Sequence, residues 1–247
     1  MMRRFSTLAA ALLLSGLAAS PALAQQDSTA AATTADDAGG PPGRVAVTTQ
    51  LGVQVYDTHS AIRRSALAGL IDLTYALRPW LGLGVSGSVA RPTTDETYFS
   101  LVEMHAADTT LFYRVHQRVT QYTLGAHLVA SGDLGRVRPY AMAGAGFYSL
   151  SLDPQALGAT ERMTGPLLSL GAGLVFPVGT RAGLTLDLRD QIFTSFDRNQ
   201  LDATDPLFRT HTFDAVPAGK PAARSIVHNP VLALGVRFLP DRKRGSR

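Results

Sequence analysis

Cysteine is absent from the 247 residues of this chain, which excludes a disulfide scaffold, a thiolate zinc site and thiol chemistry. Charged residues are scarce, at 17% against about 25% in an ordinary soluble domain. After Ala24 no apolar run reaches the roughly 18 residues of a membrane-spanning helix, so a helical membrane protein is excluded. Hydrophobic residues still make up 45% of the chain, too many for a disordered protein.

The first 24 residues have the composition of a secretory signal peptide. Arg3 and Arg4 precede an apolar run over 6–19, and the small residues of 20–24 end at Ala24. That order predicts export through a signal peptide, residues 1–24, that is cleaved after Ala24. The alternative is an N-terminal anchor, but the apolar run is too short for one. Because no cysteine follows the cleavage site, lipoprotein anchoring is excluded.

Charge is distributed unevenly along the chain. Of the net +4, the signal peptide carries +2, the segment 25–43 carries −3 and the tail 239–247 carries +3, which leaves +2 for 44–238. Segment 25–43 has no large apolar residue, and we predict a disordered linker there. The basic tail is a separate segment. The region between them has no basic face for nucleic acid, so no nucleic-acid partner is expected.

Eight segments between residues 44 and 238 have the period-two patterning of β-strands, with turn residues between them. The predicted strands are 44–56, 65–77, 81–90, 119–130 (with a start as early as 111), 137–152, 166–176, 183–193 and 226–238. In each, one face is apolar and the other is mostly Gly, Ala, Ser and Thr. A solvent-exposed face would carry more Lys and Glu, whereas small residues fit the interior of a narrow barrel.

The lengths of the connections favour a membrane barrel over a soluble sandwich. Connections after the second, fourth and sixth strands are short, and those after the odd strands are long. Outer-membrane barrels have short periplasmic turns and long extracellular loops. The predicted fold is therefore all-β: an eight-stranded antiparallel transmembrane β-barrel spanning 44–238. Ten strands are an alternative if 94–118 or 197–224 contains a further hairpin.

Aromatic residues lie near the predicted strand ends, where barrels carry girdles at the two membrane interfaces. The candidates are Tyr56, Trp80, Tyr140, Tyr148, Phe176, Phe193 and Phe238. The aromatic-rich segment 194–225 is a candidate either to fold over the mouth of the barrel or to extend the seventh and eighth strands above the membrane.

Polar and charged side chains at the inward positions suggest a lumen network. Its predicted members are Gln54, Asp72, Asp187, Arg189 and Arg237. Because the interior of an eight-stranded barrel is narrow enough for side chains to fill, we predict that they form a paired network that plugs the barrel rather than lining a conduction path.

Three segments resemble one known superfamily: Leu77 to Gly84, Val137 to Phe147, and the terminal strand ending Gly235-Val236-Arg237-Phe238. With the signal peptide and strand pattern, they make the chain similar to the small (OmpX-, OmpW- and OmpA-like) outer-membrane β-barrel superfamily of Gram-negative-type bacteria. The resemblance implies location in the cell outer membrane, contact with outer-membrane lipid and lipopolysaccharide, and a terminal strand read by the barrel-assembly machinery.

Catalytic motifs are not found. The six histidines have no metal-binding spacing, and no nucleotide or nucleophile-elbow motif occurs. Lipid A deacylases of this barrel class carry a His-x-Ser pair on a strand, whereas His127 is followed by Leu128 and Val129. A lone strand histidine such as His127 is more often a structural hydrogen-bonding residue. No catalytic residue, metal ligand or cofactor is predicted.

Several functions remain open from the sequence. The first is a non-catalytic barrel with a structural, adhesive or small-molecule-binding role and an unidentified ligand. The second is a narrow porin or passive transporter, to which the ten-stranded alternative belongs. The others are a lipid A-modifying enzyme and a soluble exported binder.

Overall fold

A computed structural model of the chain describes residues 44–98, 102–106, 108–113, 117–153, 161–201 and 221–240. All of them belong to one unit, Asp36–Arg247. The signal peptide, the linker 25–43 and residues 241–247 of the tail lie outside the described residues, so these assignments stay predictions.

Eight antiparallel strands close into a barrel, as predicted. Each barrel strand pairs with both of its neighbours, in the order β1-β10-β9-β8-β7-β6-β3-β2. The barrel closes where Val47 of β1 pairs with Phe238 of β10. The strands are β1 (Val45–Val55), β2 (Ser65–Arg78), β3 (Leu81–Ala90), β4 (Val102–Ala106), β5 (Thr109–Tyr113), β6 (Arg118–Ser131), β7 (Arg138–Asp153), β8 (Glu161–Val178), β9 (Ala182–Thr194) and β10 (Ile226–Phe238).

The long connection between β3 and β6 does contain a hairpin, but the hairpin is not part of the barrel. Strands β4 and β5 pair with each other in a separate two-stranded sheet. Strand β3 meanwhile pairs directly with β6 along its whole length, from Leu81 opposite Ala130 to Ala90 opposite Gln121. The ten-stranded alternative is therefore wrong for 94–118. Residues 202–220 of the other candidate segment lie outside the described residues.

Short turns and long loops lie at opposite ends of the barrel. The short connections are 79–80, 132–137 and 179–181, and we call this the turn end. Gly135 and Gly179 adopt positive φ angles of 77° and 70°, which glycine reaches without the steric cost of a side chain. The other connections form the loop end and include single turns of 3₁₀-helix at Thr58–Ser60, Glu96–Tyr98 and Arg198–Leu201. No helix among the described residues is long and apolar enough to cross a bilayer.

Side-chain direction is that of an inverted barrel, apolar outside and polar within. On β1, Leu51, Val53 and Val55 are exposed, whereas Gln50 and Gln54 are buried. The same alternation continues around the barrel, with outward Leu, Val, Ile and Phe side chains on the barrel strands. Because a soluble sandwich would bury these apolar side chains, the outer surface is suited to lipid.

The predicted aromatic girdles are only partly correct. Trp80, Phe176 and Phe238 are exposed on the outer surface. Four of the seven candidates instead face inward: Tyr56, Tyr140, Tyr148 and Phe193. They lie at the alternate positions that also carry the small lumen residues, and glycines on β8 give space to two of them, Tyr140 and Tyr148. A Cβ atom on Gly173 would stand 2.5 Å from the Tyr140 ring.

Candidate functional site

An apolar cluster fills the barrel interior at the loop end. Tyr148 and Phe193 stack with ring centroids 4.2 Å apart, and Phe196 packs against both rings. Loop residues complete the cluster, since Ile62 and Leu201 are buried in it. The first part of the predicted mouth-covering segment thus packs onto the barrel at Phe196 and Leu201. We call these residues, with their buried neighbours, the loop-end cluster.

A layer of glutamines lies next to this cluster. Gln121 Nε2 donates hydrogen bonds to Oε1 of Gln54 at 3.1 Å and of Gln191 at 3.2 Å. Tyr56 donates to Gln121 Oε1 at 2.9 Å, and Gln191 donates to Ser88 Oγ at 3.1 Å. All three glutamines are at most 2% exposed. Side chains from β1, β6 and β9 therefore meet across the lumen, and we call them the glutamine layer.

A buried ionic layer follows toward the turn end. Arg189 donates to both carboxylate oxygens of Asp72 at 3.1 Å and to Asp187 Oδ2 at 3.3 Å. Tyr140 also donates a short hydrogen bond to Asp187 Oδ2. Arg189 is 3% exposed and the two carboxylates are similarly buried. A planar guanidinium paired bidentately with one carboxylate and bridging to a second is a rigid, oriented arrangement.

The predicted network therefore divides into separate groups. Asp72, Asp187 and Arg189 come together in the ionic layer, whereas Gln54 belongs to the glutamine layer. Arg237 is half-buried and lines a small cavity with Asp72 and Arg189, but forms no ion pair with a described residue.

His127 also faces the lumen, where it is 4% exposed. Its Nδ1 is buried without a hydrogen-bond partner. The expectation of a structural hydrogen bond is therefore not met for His127 among the described residues, because the facing positions on β3 and β7 are the glycines Gly84 and Gly144.

A cavity of about 390 Å³ opens at the turn end. Five arginines line it: Arg44, Arg78, Arg138, Arg181 and Arg237. The other described lining residues include Thr74, Ser131, Tyr140 and Thr180 but no Asp or Glu. We call the five side chains the arginine ring. The small cavity lined by Asp72 and Arg189 adjoins this larger one, because Tyr140 and Arg237 line both. The ionic layer therefore lies on the inward side of the 390 Å³ cavity.

Loops at the opposite end are tied to one another. The Asp95 N–H donates to Ala61 O at 2.8 Å, and Gln117 Nε2 donates to Leu201 O at 3.1 Å. The Arg198 guanidinium lies 5.2 Å from the Tyr98 ring centroid. These contacts join three connections into a folded mouth over the loop-end cluster.

Two histidines pair with carboxylates, His59 in the connection after β1 and His228 on the outer face of β10. His228 Nδ1 lies 2.7 Å from Asp190 Oδ2, and His59 Nδ1 lies 2.7 Å from Asp57 Oδ1. Burial alone raises the pKa of the Asp57 carboxyl. Hydrogen bonds from the His59 backbone and ring and from the His228 backbone outweigh burial and hold that pKa below its usual value. Within the described ranges no group of three or more His, Asp or Glu side chains is arranged to hold a metal ion.

Sequence reasoning missed several of these interior residues. Gln121, Gln191 and Tyr140 lie at inward-facing alternate positions of their strands, as the members of the predicted network do. They could have been found by marking the inward-facing positions of every predicted strand. The arginine ring was also readable in this way, since its members lie at inward positions at or next to the turn ends of their strands.

A closed eight-stranded barrel with an apolar outer surface and a polar, filled interior defines the class of transmembrane β-barrels. The sequence matches a family model described as outer membrane protein beta-barrel domain over residues 9–215. The chain belongs to this family, and its location is the outer membrane. No protein of curated function matches the chain in sequence.

Solved structures agree on the fold. The alignment with neisserial surface protein A covers 79% of this chain and 96% of that protein, at 14% identity and a TM-score of 0.50. For the outer membrane protein OprG of Pseudomonas aeruginosa, coverage is 84% and 100%, at 9% identity and a TM-score of 0.50.

Proposed function

We propose that this protein is a plugged, non-conducting barrel that acts by binding at its ends and by its structural presence in the membrane, without catalysis. One observation carries the proposal: three successive layers of buried side chains fill the lumen. The loop-end cluster, the glutamine layer and the ionic layer occupy the width through which a solute would pass. A narrow porin would need an open polar path instead.

The mouth supports a binding role rather than transport. Its loops are joined by backbone and side-chain hydrogen bonds and sit on a stacked aromatic core. A surface that is ordered before a partner arrives loses less conformational entropy on binding. The mouth therefore suits an adhesive or ligand-binding surface.

The absence of catalysis is proposed on the state of the histidines. His127 forms no hydrogen bond to a serine or threonine among the described residues, and His59 and His228 pair with Asp57 and Asp190. A deacylase-type nucleophile needs a hydroxyl within reach of its base. We expect His127→Ala to leave the lipid A of producing cells unchanged in mass spectra, and a lipid A change that depends on His127 would contradict the proposal.

Contact with lipid and lipopolysaccharide is proposed from the outward apolar band on all eight barrel strands. Recognition by the barrel-assembly machinery is proposed from the end of β10. There the exposed Phe238 ends the strand in a Gly-apolar-x-aromatic sequence.

Planar-bilayer recording tests the plug. Purified, folded protein should give no stable channel current, and proteoliposomes should not swell in small sugars. Asp187→Asn is recorded in parallel, because it changes the charge of the ionic layer without changing side-chain size. A stable current in the wild-type protein whose ion selectivity shifts in Asp187→Asn would contradict the proposal.

A further inference from the structure

The smaller of the two cavities lies inside the barrel, beside the ionic layer. Its volume is about 30 Å³, and every residue that lines it belongs to a barrel strand. Among the lining residues are Gln50 of β1, His127 of β6 and Arg189 of β9. All three are buried, at 6%, 4% and 3% exposure. We call this space the inner cavity.

Each of these three side chains has one buried polar atom without a hydrogen-bond partner among the described residues. The atoms are Gln50 Oε1, His127 Nδ1 and Arg189 Nε. Other atoms of two of them are engaged, since Gln50 Nε2 donates to Thr185 Oγ1 at 3.4 Å and the Arg189 Nη groups donate to the carboxylates of the ionic layer. Buried polar atoms that the protein itself does not satisfy are commonly satisfied by internal water. Three such atoms on residues that line one cavity therefore point to a hydrogen-bonding ligand.

The chemistry of the three atoms selects water over an ion. Gln50 Oε1 only accepts hydrogen bonds and the Arg189 Nε–H only donates, whereas the imidazole Nδ1 of His127 does either, according to its tautomer. A halide cannot donate to the Gln50 oxygen, and a metal cation cannot accept from the Arg189 N–H. Water does both. The cavity has room for about one or two water molecules and is far smaller than the roughly 300 Å³ of a small-molecule site.

We propose that the inner cavity is a binding site for internal water, which bridges His127 to Gln50 and, through Arg189, to the ionic layer. This water supplies the hydrogen bond that the glycines facing His127 on β3 and β7 do not offer. Because Tyr140 and Arg237 line both cavities, the water exchanges with solvent through the larger cavity at the turn end.

A crystal structure of the full chain in detergent, at a resolution that shows ordered water, tests the site directly. We expect electron density in the inner cavity within about 2.7–3.2 Å of His127 Nδ1 and of either Gln50 Oε1 or Arg189 Nε. A second crystal, soaked in sodium bromide, distinguishes water from a halide, because bromide gives an anomalous signal and water does not. We expect no anomalous peak in the inner cavity.

Magnetisation transfer from water to the His127 ring, measured by NMR on the folded protein in micelles, is an independent readout. In Gln50→Met the cross-peak between water and the ring should weaken, because the site loses the Oε1 acceptor. Gln54→Met is the matched control on the same strand. Gln54 does not line the inner cavity, and its Oε1 already accepts from Gln121 Nε2, so the cross-peak should keep its wild-type intensity.

Three results would overturn the inference. They are an inner cavity without density in a map that shows ordered water elsewhere, an anomalous bromide peak inside it, and equal weakening of the cross-peak in folded Gln50→Met and Gln54→Met. Heat-modifiable migration checks the folding of both variants, and the wild-type crystal decides the matter if one of them does not fold.

The water site does not depend on the plug. A conducting barrel with density in the inner cavity would refute the plug and leave the water site standing, whereas a silent barrel without that density would do the reverse.

Discussion

Replacing Arg189 by methionine removes the cation that holds the ionic layer together. The guanidinium makes three hydrogen bonds of 3.1–3.3 Å to two carboxylates, at 3% exposure. Methionine keeps the apolar length of the side chain but leaves Asp72 and Asp187 buried without their counter-charge. Breaking a buried ion pair from one side costs about 3–5 kcal/mol, because an uncompensated charge stays behind. We expect the free energy of unfolding of Arg189→Met to fall by that amount.

Denaturant unfolding in lipid vesicles measures this change, with the fluorescence of Trp80, the single tryptophan, as the signal. Trp80 is exposed beside the turn between β2 and β3, so its emission reports departure from the lipid. Arg162→Met removes an exposed arginine and should cost no more than about 0.5 kcal/mol.

A double-mutant cycle makes the test specific to the pair. In Asp72→Asn/Arg189→Met the loss should be smaller than the sum of the two single losses by at least about 1 kcal/mol, as for residues in one buried network. Additive losses, or an Arg189→Met cost equal to that of Arg162→Met, would refute the claim that this layer is a paired structural plug.

Two further predictions concern packing and pH. Gly165→Ala should lower the free energy of unfolding by about 1–3 kcal/mol, because its Cβ would stand 2.5 Å from the Tyr148 hydroxyl. The control Gly87→Ala should be tolerated, because the atom nearest to its Cβ would be 3.5 Å away. Equal costs in the same unfolding assay would contradict the crowding argument. Hydrogen bonds from His59 hold the pKa of Asp57 below its usual value. The Asp57 carboxylate therefore stabilises the mouth fully above its unfolded-state pKa of about 3.9. This stabilisation is lost as the pH falls through the lower pKa of the folded state. The melting temperature of the wild-type protein should therefore drop more on acidification to about pH 3 than that of Asp57→Asn, and parallel curves would show that Asp57 does not contribute.

The alternation of apolar with small or polar residues along each strand determined most of the architecture from the sequence alone. Side chains alternate strictly along a strand, so the apolar face, the small-residue face and the short and long connections together predicted eight strands, an inverted barrel and the inward position of Asp72, Asp187 and Arg189. The bounds of β3 and β10 match the predicted segments to the residue, 81–90 and 226–238. Local patterning was sufficient here because each strand repeats the same rule.

Only the tertiary structure decided which inward residues meet. Asp72 and Arg189 are 117 residues apart in the chain, and their contact depends on the register of every strand between them around the closed barrel. The same is true of the glutamine layer, of Tyr148 seated over Gly165, and of the arginine ring. The alternation along a strand shows which side chains face the lumen. Their level along the barrel axis and their partners across the lumen follow from barrel closure, which no local sequence pattern encodes.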